Sequence, residues 1–175
     1  MRRCLKKENS RGQKVPSFYT KMFKDKVKYL LDRALEERQD LYLLELKVSE
    51  SNAITVVIDG DNGVIVEDCM FISRAIEHNL DREEQDFSIE VMSAGAASPI
   101  IDKRQYKKNI GRVLSVKTKE GLSYEGTLQN TDEEGIHLEW KSKEPKPVGK
   151  GKMIVKKQAK IEYDAILEAK VVIKF

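Results

Sequence analysis

The hydrophobic period of this chain changes once, close to Gly111, and that change limits the fold more than any single residue does. Upstream, apolar residues recur partly at helical spacing and partly at every second position; downstream, period two persists between clusters of turn residues. A helix puts residues three and four apart on one face, whereas a strand alternates faces, so the two stretches need different layers. The sequence therefore predicts an α+β layer followed by an all-β module.

In the first stretch, Phe23, Val27, Leu30, Leu31, Ala34 and Leu35 form a helical stripe, with Lys24, Lys28, Asp32 and Glu36 opposite. Leu44, Leu46 and Val48 alternate with Glu45 and Lys47, and Ile54, Val56 and Ile58 resume the alternation after a polar break, which marks a hairpin. Asp59 to Gly63 (DGDNG) is a turn-forming cluster that ends it. Cys69, Ile72, Ile76 and Leu80 mark a second helix, with Glu67 and Asp68 where the helix dipole favours anions. Phe87, Ile89 and Val91 make a third strand, so the order αββαβ places two helices on a three-stranded sheet.

The division that follows is a disordered basic arm at 1–20, an α+β domain at 21–98, a connector at 99–111 and a β domain at 112–175. The connector carries Pro99 and a helix from about Lys103 to Ile110. Five strands are expected beyond it, at 112–118, 122–131, 136–141, 153–163 and 169–175, with a loop at 142–151 and a short 3₁₀ turn at 164–167. Five short strands with one such turn suggest a small SH3-like or Sm-like barrel, by analogy of fold.

The net charge of +3 conceals opposed blocks: +5 over residues 1–20, −8 over 21–100 and +6 over 101–175. A bipolar chain of this kind suits a basic surface facing a polyanion and an acidic module facing solvent or a basic partner. With 35% charged residues, no apolar run is long enough to span a bilayer, and no secretory signal is recognised, so a cytoplasmic location is expected. Cys4 and Cys69 lie far apart and offer neither a disulfide framework nor a metal-ligand spacing.

Groups that could be poised for catalysis near neutral pH are scarce. His78 and His137 have no Cys, Asp or Ser at a spacing typical of a catalytic motif. Asp59, Asp61 and Gly63 begin like a calcium loop but lack the closing Glu, and Gly60 to Gly63 is literally G-x-x-G but follows a strand and contains an Asp. Neither a metal, a cofactor, a small-molecule substrate nor an enzyme is expected.

The stronger signal is positive charge. Lys103 with Lys107, and Arg104 with Lys108, are i,i+4 neighbours on the connector helix, and Arg112, Lys117, Lys119, Lys141, Lys143, Lys150 and Lys152 extend the charge into the β domain. These are candidate RNA phosphate contacts, whose binding would weaken with salt. Tyr106, Tyr124, Trp140 and Tyr163 are read as packing residues, so shape and charge should outweigh sequence in any recognition.

The run ITVVIDGDNGVIVEDCMFISRAIEHNL at 54–80, followed by FSIEVMSAGAASPI at 87–100 and RQYKKNIGR at 104–112, resembles the bacterial ribosome maturation factor RimP family over roughly residues 22–175. Its most specific parts are Asp68, Cys69, Ile72, Ser73 and Arg74 in D-C-x-x-I-S-R, and Glu90, Val91, Ser93 and Gly95 in E-V-x-S-x-G. The resemblance implies a KH-like first domain, an SH3- or Sm-like barrel, no cofactor, and non-catalytic binding to the free small ribosomal subunit. Its implied partners are small-subunit rRNA and the twelfth small-subunit ribosomal protein, and the chain is expected to be a monomer.

Where the family commonly reads P-G-L-D-R-P after the serine, this chain has Ala94, Gly95, Ala96, Ala97, Ser98 and Pro99. Ser93, Gly95 and Pro99 are expected to keep the turn that sets the angle between domains. The alternative is a ring-forming RNA chaperone of the Sm type, because Gly121, Tyr124, Gly126, Leu128 and Asp132 follow the spacing of the first Sm motif, although no second motif is found near 154–163. A hydrolase or transferase is a third and weaker reading.

Overall fold

A computed structural model describes residues 18–83, 86–145 and 152–173. Most of the expected basic arm, with Cys4, and the loop containing Lys146 and Lys150 lie outside them. The first sheet is covered by α1 (Phe18–Glu37) and α2 (Val66–Glu77), and contains β1 (Leu41–Val48), β2 (Ala53–Gly60) and β3 (Ser88–Ser93) in the order β1-β2-β3. β1 and β2 form the expected antiparallel hairpin, while β3 returns parallel to β2 after crossing through α2.

The stripe on α1 buries Phe23, Val27, Leu31 and Ala34 against Ile72 and Ile76 of α2 and against Ile54, Val56 and Ile58 of β2. Burying each large side chain contributes about 1.5–3 kcal/mol, so this one face decides where the helix lies. Asp68 holds the start of α2: its carboxylate accepts from the Ile65 backbone N–H at 3.0 Å and from Arg38 Nη2 at 2.8 Å. That pair of bonds satisfies an otherwise orphaned helix-end donor and ties α2 to the end of α1.

The short α3 (Lys103–Lys108) leads into β4 (Val113–Thr118), β5 (Ser123–Thr131), β6 (Gly135–Pro145), β7 (Lys152–Glu162), a 3₁₀ turn at Tyr163–Ala165 and β8 (Ile166–Val171). All neighbours are antiparallel, in the order β7-β6-β5-β4-β8. Ile161 of β7 and Ala169 of β8 share one core with Leu114, Val116, Leu128, Ile136 and Leu138, so the sheet curls strongly. Its two edge strands form no ladder with each other among the described residues, and the expected closed barrel is not seen there. Where β6 passes β5 and β7, Gly126 and Gly135 leave no room for a Cβ: one would meet Glu139 O at 2.9 Å and Ile161 O at 2.3 Å.

Three expectations about boundaries need correction. The first helix begins at Phe18, three residues inside the expected arm. Residues 142–145, expected in a loop, are strand instead, because β6 keeps pairing with β7 to the Pro145–Lys152 position. The last strand runs over 166–171 rather than 169–175, since pairing of Thr118 with Ile166 extends the β4 ladder earlier and moves the 3₁₀ turn to Tyr163.

Candidate functional site on the connector and the basic sheet

The connector is tied down on both sides. Ala94 N–H donates to Ile58 O at 3.1 Å, Ser98 N–H closes a turn on Gly95 O at 2.9 Å, and Ile100 N–H donates to Ala169 O at 2.8 Å. Ser93 ends β3 opposite Ile58, and Pro99 forms an isolated bridge with Lys170 of β8. The three turn residues named from the sequence thus sit where the chain passes from one sheet to the other.

Asp102 caps α3 by accepting from Arg104 N–H at 2.7 Å, and Gln105 Oε1 accepts from the Ile101 and Asp102 N–H groups. A helix this short needs such caps, because it is below the length that propagates unaided. Its side chains then divide in a way that their sequence spacing does not reveal.

Arg104 donates to both oxygens of Asp61, at 2.9 and 2.5 Å, and to Gln39 O at 2.8 Å, while its guanidinium lies 4.3 Å from the centre of the Tyr42 ring. This bidentate fork holds the Asp61 carboxyl below its ordinary pKa and raises that of Arg104. Asp59, buried at the end of β2, accepts from Gln105 Nε2 at 2.8 Å and from Lys108 Nζ. Asn109 Nδ2 donates back to Gln105 O at 2.7 Å. The cluster read as a turn is therefore the acidic half of a latch between the first sheet and the connector.

Lys103 lies 4.6 Å from the centre of the Tyr163 ring and donates to Glu133 O at 3.2 Å, so it leans on the second sheet. Lys107 and Arg112 are exposed and form no ion pair among the described residues. Arg112 also lines a cleft of about 440 Å³ between the two sheets, with Asp59, Ser93, Gly95, Lys108 and Asn109. Farther out, Lys117 faces Glu168 at 3.4 Å, and Lys119, Lys141, Lys143 and Lys152 are exposed. Lys150 lies outside the described residues.

The packing assigned to the aromatics holds. Tyr106 is buried against Tyr163, with ring centroids 5.4 Å apart, and Tyr124 packs on Trp140 at 5.7 Å. Burial pushes the Tyr106 hydroxyl up to about 12. His137 contacts Asp132 at 2.9 Å, and Asp132 also accepts from Gly135 and Glu134 N–H groups and pairs with Lys160. These partners close the β5–β6 turn and hold the Asp132 carboxyl well below the usual carboxylate range. His78 is exposed beside a shallow depression lined by Glu67, Met70 and Arg74. Among the described residues no group of three or more His, Cys, Asp and Glu could hold a metal, and no helix is long and apolar enough to cross a membrane.

A family model of the RimP N-terminal domain matches residues 30–97, which contain both acids of the latch. A ribosome maturation factor RimP from Christiangramia forsetii is 53% identical over 154 residues, covering 88% of this chain and 100% of that relative. The chain belongs to the RimP family of ribosome maturation factors. A RimP from Flavobacterium psychrophilum is 50% identical over 153 residues, covering 87% of this chain and 99% of its own length. One from Cytophaga hutchinsonii is 32% identical over 117 residues, covering 63% and 70%. The first two matches are long enough to extend beyond the N-terminal part through the connector into the second sheet, and the role of the chain is in ribosome maturation.

Proposed function

We propose that the chain acts without catalysis, binding the free small ribosomal subunit in the cytoplasm during assembly, as a monomer. In this reading the basic side contacts rRNA phosphates, and the acidic α+β side or the cleft receives a basic partner, the twelfth small-subunit ribosomal protein. The α+β part is read as a KH-like domain over 21–98, the connector as 99–111, and the curled sheet over 112–175 as an SH3-like or Sm-like barrel. No cofactor enters the mechanism: stabilising one intermediate arrangement of the subunit needs only a higher affinity for it than for the mature one.

The observation that carries the reading is the contrast along α3. Two of its cations, Arg104 and Lys108, are held by Asp61 and Asp59, whereas Lys107 and then Arg112 stand exposed without ion pairs among the described residues. The latched pair orients the connector and the exposed pair meets RNA; Lys103, Lys117, Lys119, Lys141, Lys143 and Lys152 flank them.

The test is co-sedimentation of Lys107→Glu/Arg112→Glu with immature small subunits. At moderate salt the double variant should pellet with the particles at least about 10-fold less well than the parent chain, since each lost phosphate contact removes a counterion-release contribution. Equal co-sedimentation would overturn the assignment. A single monomeric peak on sizing chromatography counts against the ring-forming Sm alternative, which a multimeric peak would favour.

A further inference from the structure

Past Glu139, β6 and β7 run on without a third strand among the described residues. The β5–β6 ladder reaches only the Thr127–Glu139 pair, whereas β6 and β7 remain paired from Trp140–Lys157 to Pro145–Lys152. Residues directly opposite in an antiparallel pair share a face, and faces alternate along the strand. Trp140, Lys157, Ser142, Val155 and Met153 therefore occupy one side, which continues the inner face: Trp140 and Val155 are half-buried, with Trp140 on Tyr124. Lys141, Lys156, Lys143, Ile154 and Lys152 occupy the other, and all five are exposed.

This outer face is costly to the chain by itself. Lys141 lies directly opposite Lys156, a like-charge pair that weakens a ladder, and a ribbon of two strands has little stability to spare. Among the described residues Glu139 is the carboxylate that approaches it, 3.6 Å from Lys156 and also acting on Lys141, and it accepts from Gln158. Lys141, Lys143 and Lys152 have no ion pair among the described residues. Same-face lysines on one strand are about 6.8 Å apart, and the strands are about 4.8 Å apart. The result is a cluster of four lysines in which Lys143 is opposite the exposed Ile154 and Lys156 and Lys152 flank it along β7, suited to a ligand that presents several anions at once.

We infer that the outer face of the β6–β7 ribbon docks on double-stranded RNA, with Lys141, Lys143, Lys152 and Lys156 against phosphates and Ile154 against the sugar edges of the wide, shallow minor groove. This rests on the reading of the chain as an rRNA-binding factor and names the element and the form of RNA it takes. Lysine ammonium groups are point charges without the planar fork that reads a base edge or a carboxylate, so the face is matched to a regular phosphate array and is indifferent to sequence.

The full chain carrying Lys141→Glu, Lys143→Glu and Lys156→Glu is titrated by fluorescence anisotropy against a 16-base-pair RNA duplex and, separately, against purified immature small subunits. The control is Lys21→Glu, Lys24→Glu and Lys28→Glu at exposed positions of α1, which changes net charge equally. The ribbon variant should bind the duplex on the order of 100-fold more weakly at about 0.1 M salt, with a log K versus log salt slope smaller by about 2.7, and the control should stay near the parent. Unchanged duplex affinity and slope in the ribbon variant overturn the inference, as does an equal loss in the control. If the parent binds subunits while duplex binding is insensitive to the ribbon, only the ribbon assignment fails; if the parent does not bind subunits, the underlying reading fails. Lys141→Gln, Lys143→Gln and Lys156→Gln keeps the strand geometry without introducing acid, so a ribbon that unfolds with Glu is still tested: it should lose at least about 10-fold, and no loss counts against the inference.

Discussion

Replacing Asp59 by Ala removes the buried end of the latch. Asp59 is 3% exposed and accepts from Gln105 Nε2 and Lys108 Nζ, so truncation leaves a buried amide donor and a cation without their acceptor. A buried donor left unsatisfied costs about 1–3 kcal/mol, and a hydrogen bond to a charged group contributes about 1.5–3 kcal/mol. The Lys108 side chain is 23% accessible and can swing to water, which places its share at the low end. The sum is about 3 kcal/mol, close to the lower limit for breaking a buried ion pair from one side. At this chain length that corresponds to a melting temperature lower by roughly 6–12 °C.

The assay follows from where Trp140 sits. The chain has one tryptophan, packed beside the second core, so its fluorescence reports the sheet, whereas helical ellipticity is dominated by α1 and α2 beside the first core. If the latch couples the two, urea unfolding by both probes coincides in the parent and separates in Asp59→Ala. Asp59→Asn should lose less, because an amide oxygen can still accept from Gln105. Combined with Lys108→Met it should fall short of additivity by about 1 kcal/mol or more. Coincident transitions in Asp59→Ala with a midpoint unchanged from the parent would refute the latch.

Gly135→Ala should destabilise by about 1–3 kcal/mol or more, because the new Cβ meets the backbone of Ile161 and Glu162, which cannot move aside without opening the β6–β7 ladder. Gly121→Ala has open space around it but a φ of +84°, so its cost should be limited to about 1–2 kcal/mol of backbone strain; thermal melts that reverse this order would contradict the packing described. Asp132, whose folded pKa is depressed by His137, the Gly135 N–H and Lys160, contributes stability that is present above its unfolded value of about 3.8 and is lost as pH falls toward the folded one. Acid titration of thermal stability should therefore be flatter below pH 4 in Asp132→Asn than in the parent, and identical slopes would count against that linkage. Leu31→Ala, at a fully buried α1 position, should cost about 2–5 kcal/mol in urea unfolding, and a loss under 1 kcal/mol would show that α1 packs elsewhere.

What the sequence made legible was periodic. The stripes Phe23–Leu35 and Cys69–Leu80, and the alternation at 54–58, read correctly because burial on one face imposes a period on apolar residues. Two features lacked such a signal. Asp59 and Asp61 stand in D-G-D-N-G, whose local chemistry says turn, and their partners are Gln105 and Lys108 for the one and Arg104 for the other, more than forty residues away. A tertiary ion pair leaves no mark on either segment. The outer part of β6 failed for another reason: after Trp140 the next inner position is Ser142, so with Lys141 and Lys143 on the exposed face the segment is polar throughout, shows no hydrophobic alternation and looks like a loop. The barrel was an extrapolation from strand number, and five strands leave closure to the curl of the sheet and the pairing of its edges.

The latch also changes how the charge of the second half should be counted. The +6 over residues 101–175 treats every cation as available, yet Arg104 and Lys108 already neutralise acids of the first half, and Lys117, Lys160 and Lys170 face Glu168, Asp132 or Glu134. Phosphate could recruit those groups only after their present partners are released, and the released carboxylates would then stand beside the RNA. A bipolar chain faces that difficulty generally, because its acidic half attracts its own basic half as well as repelling the polyanion. Here the ion pairs between the two halves lie, among the described residues, at one end of β2, where they fix the connector, and Lys107, Arg112, Lys141, Lys143 and Lys152 are left without an ion pair. If the remaining cations bind rRNA as proposed, fixing the two sheets with a few ion pairs would spend part of the ordering entropy in folding and not at each encounter with RNA.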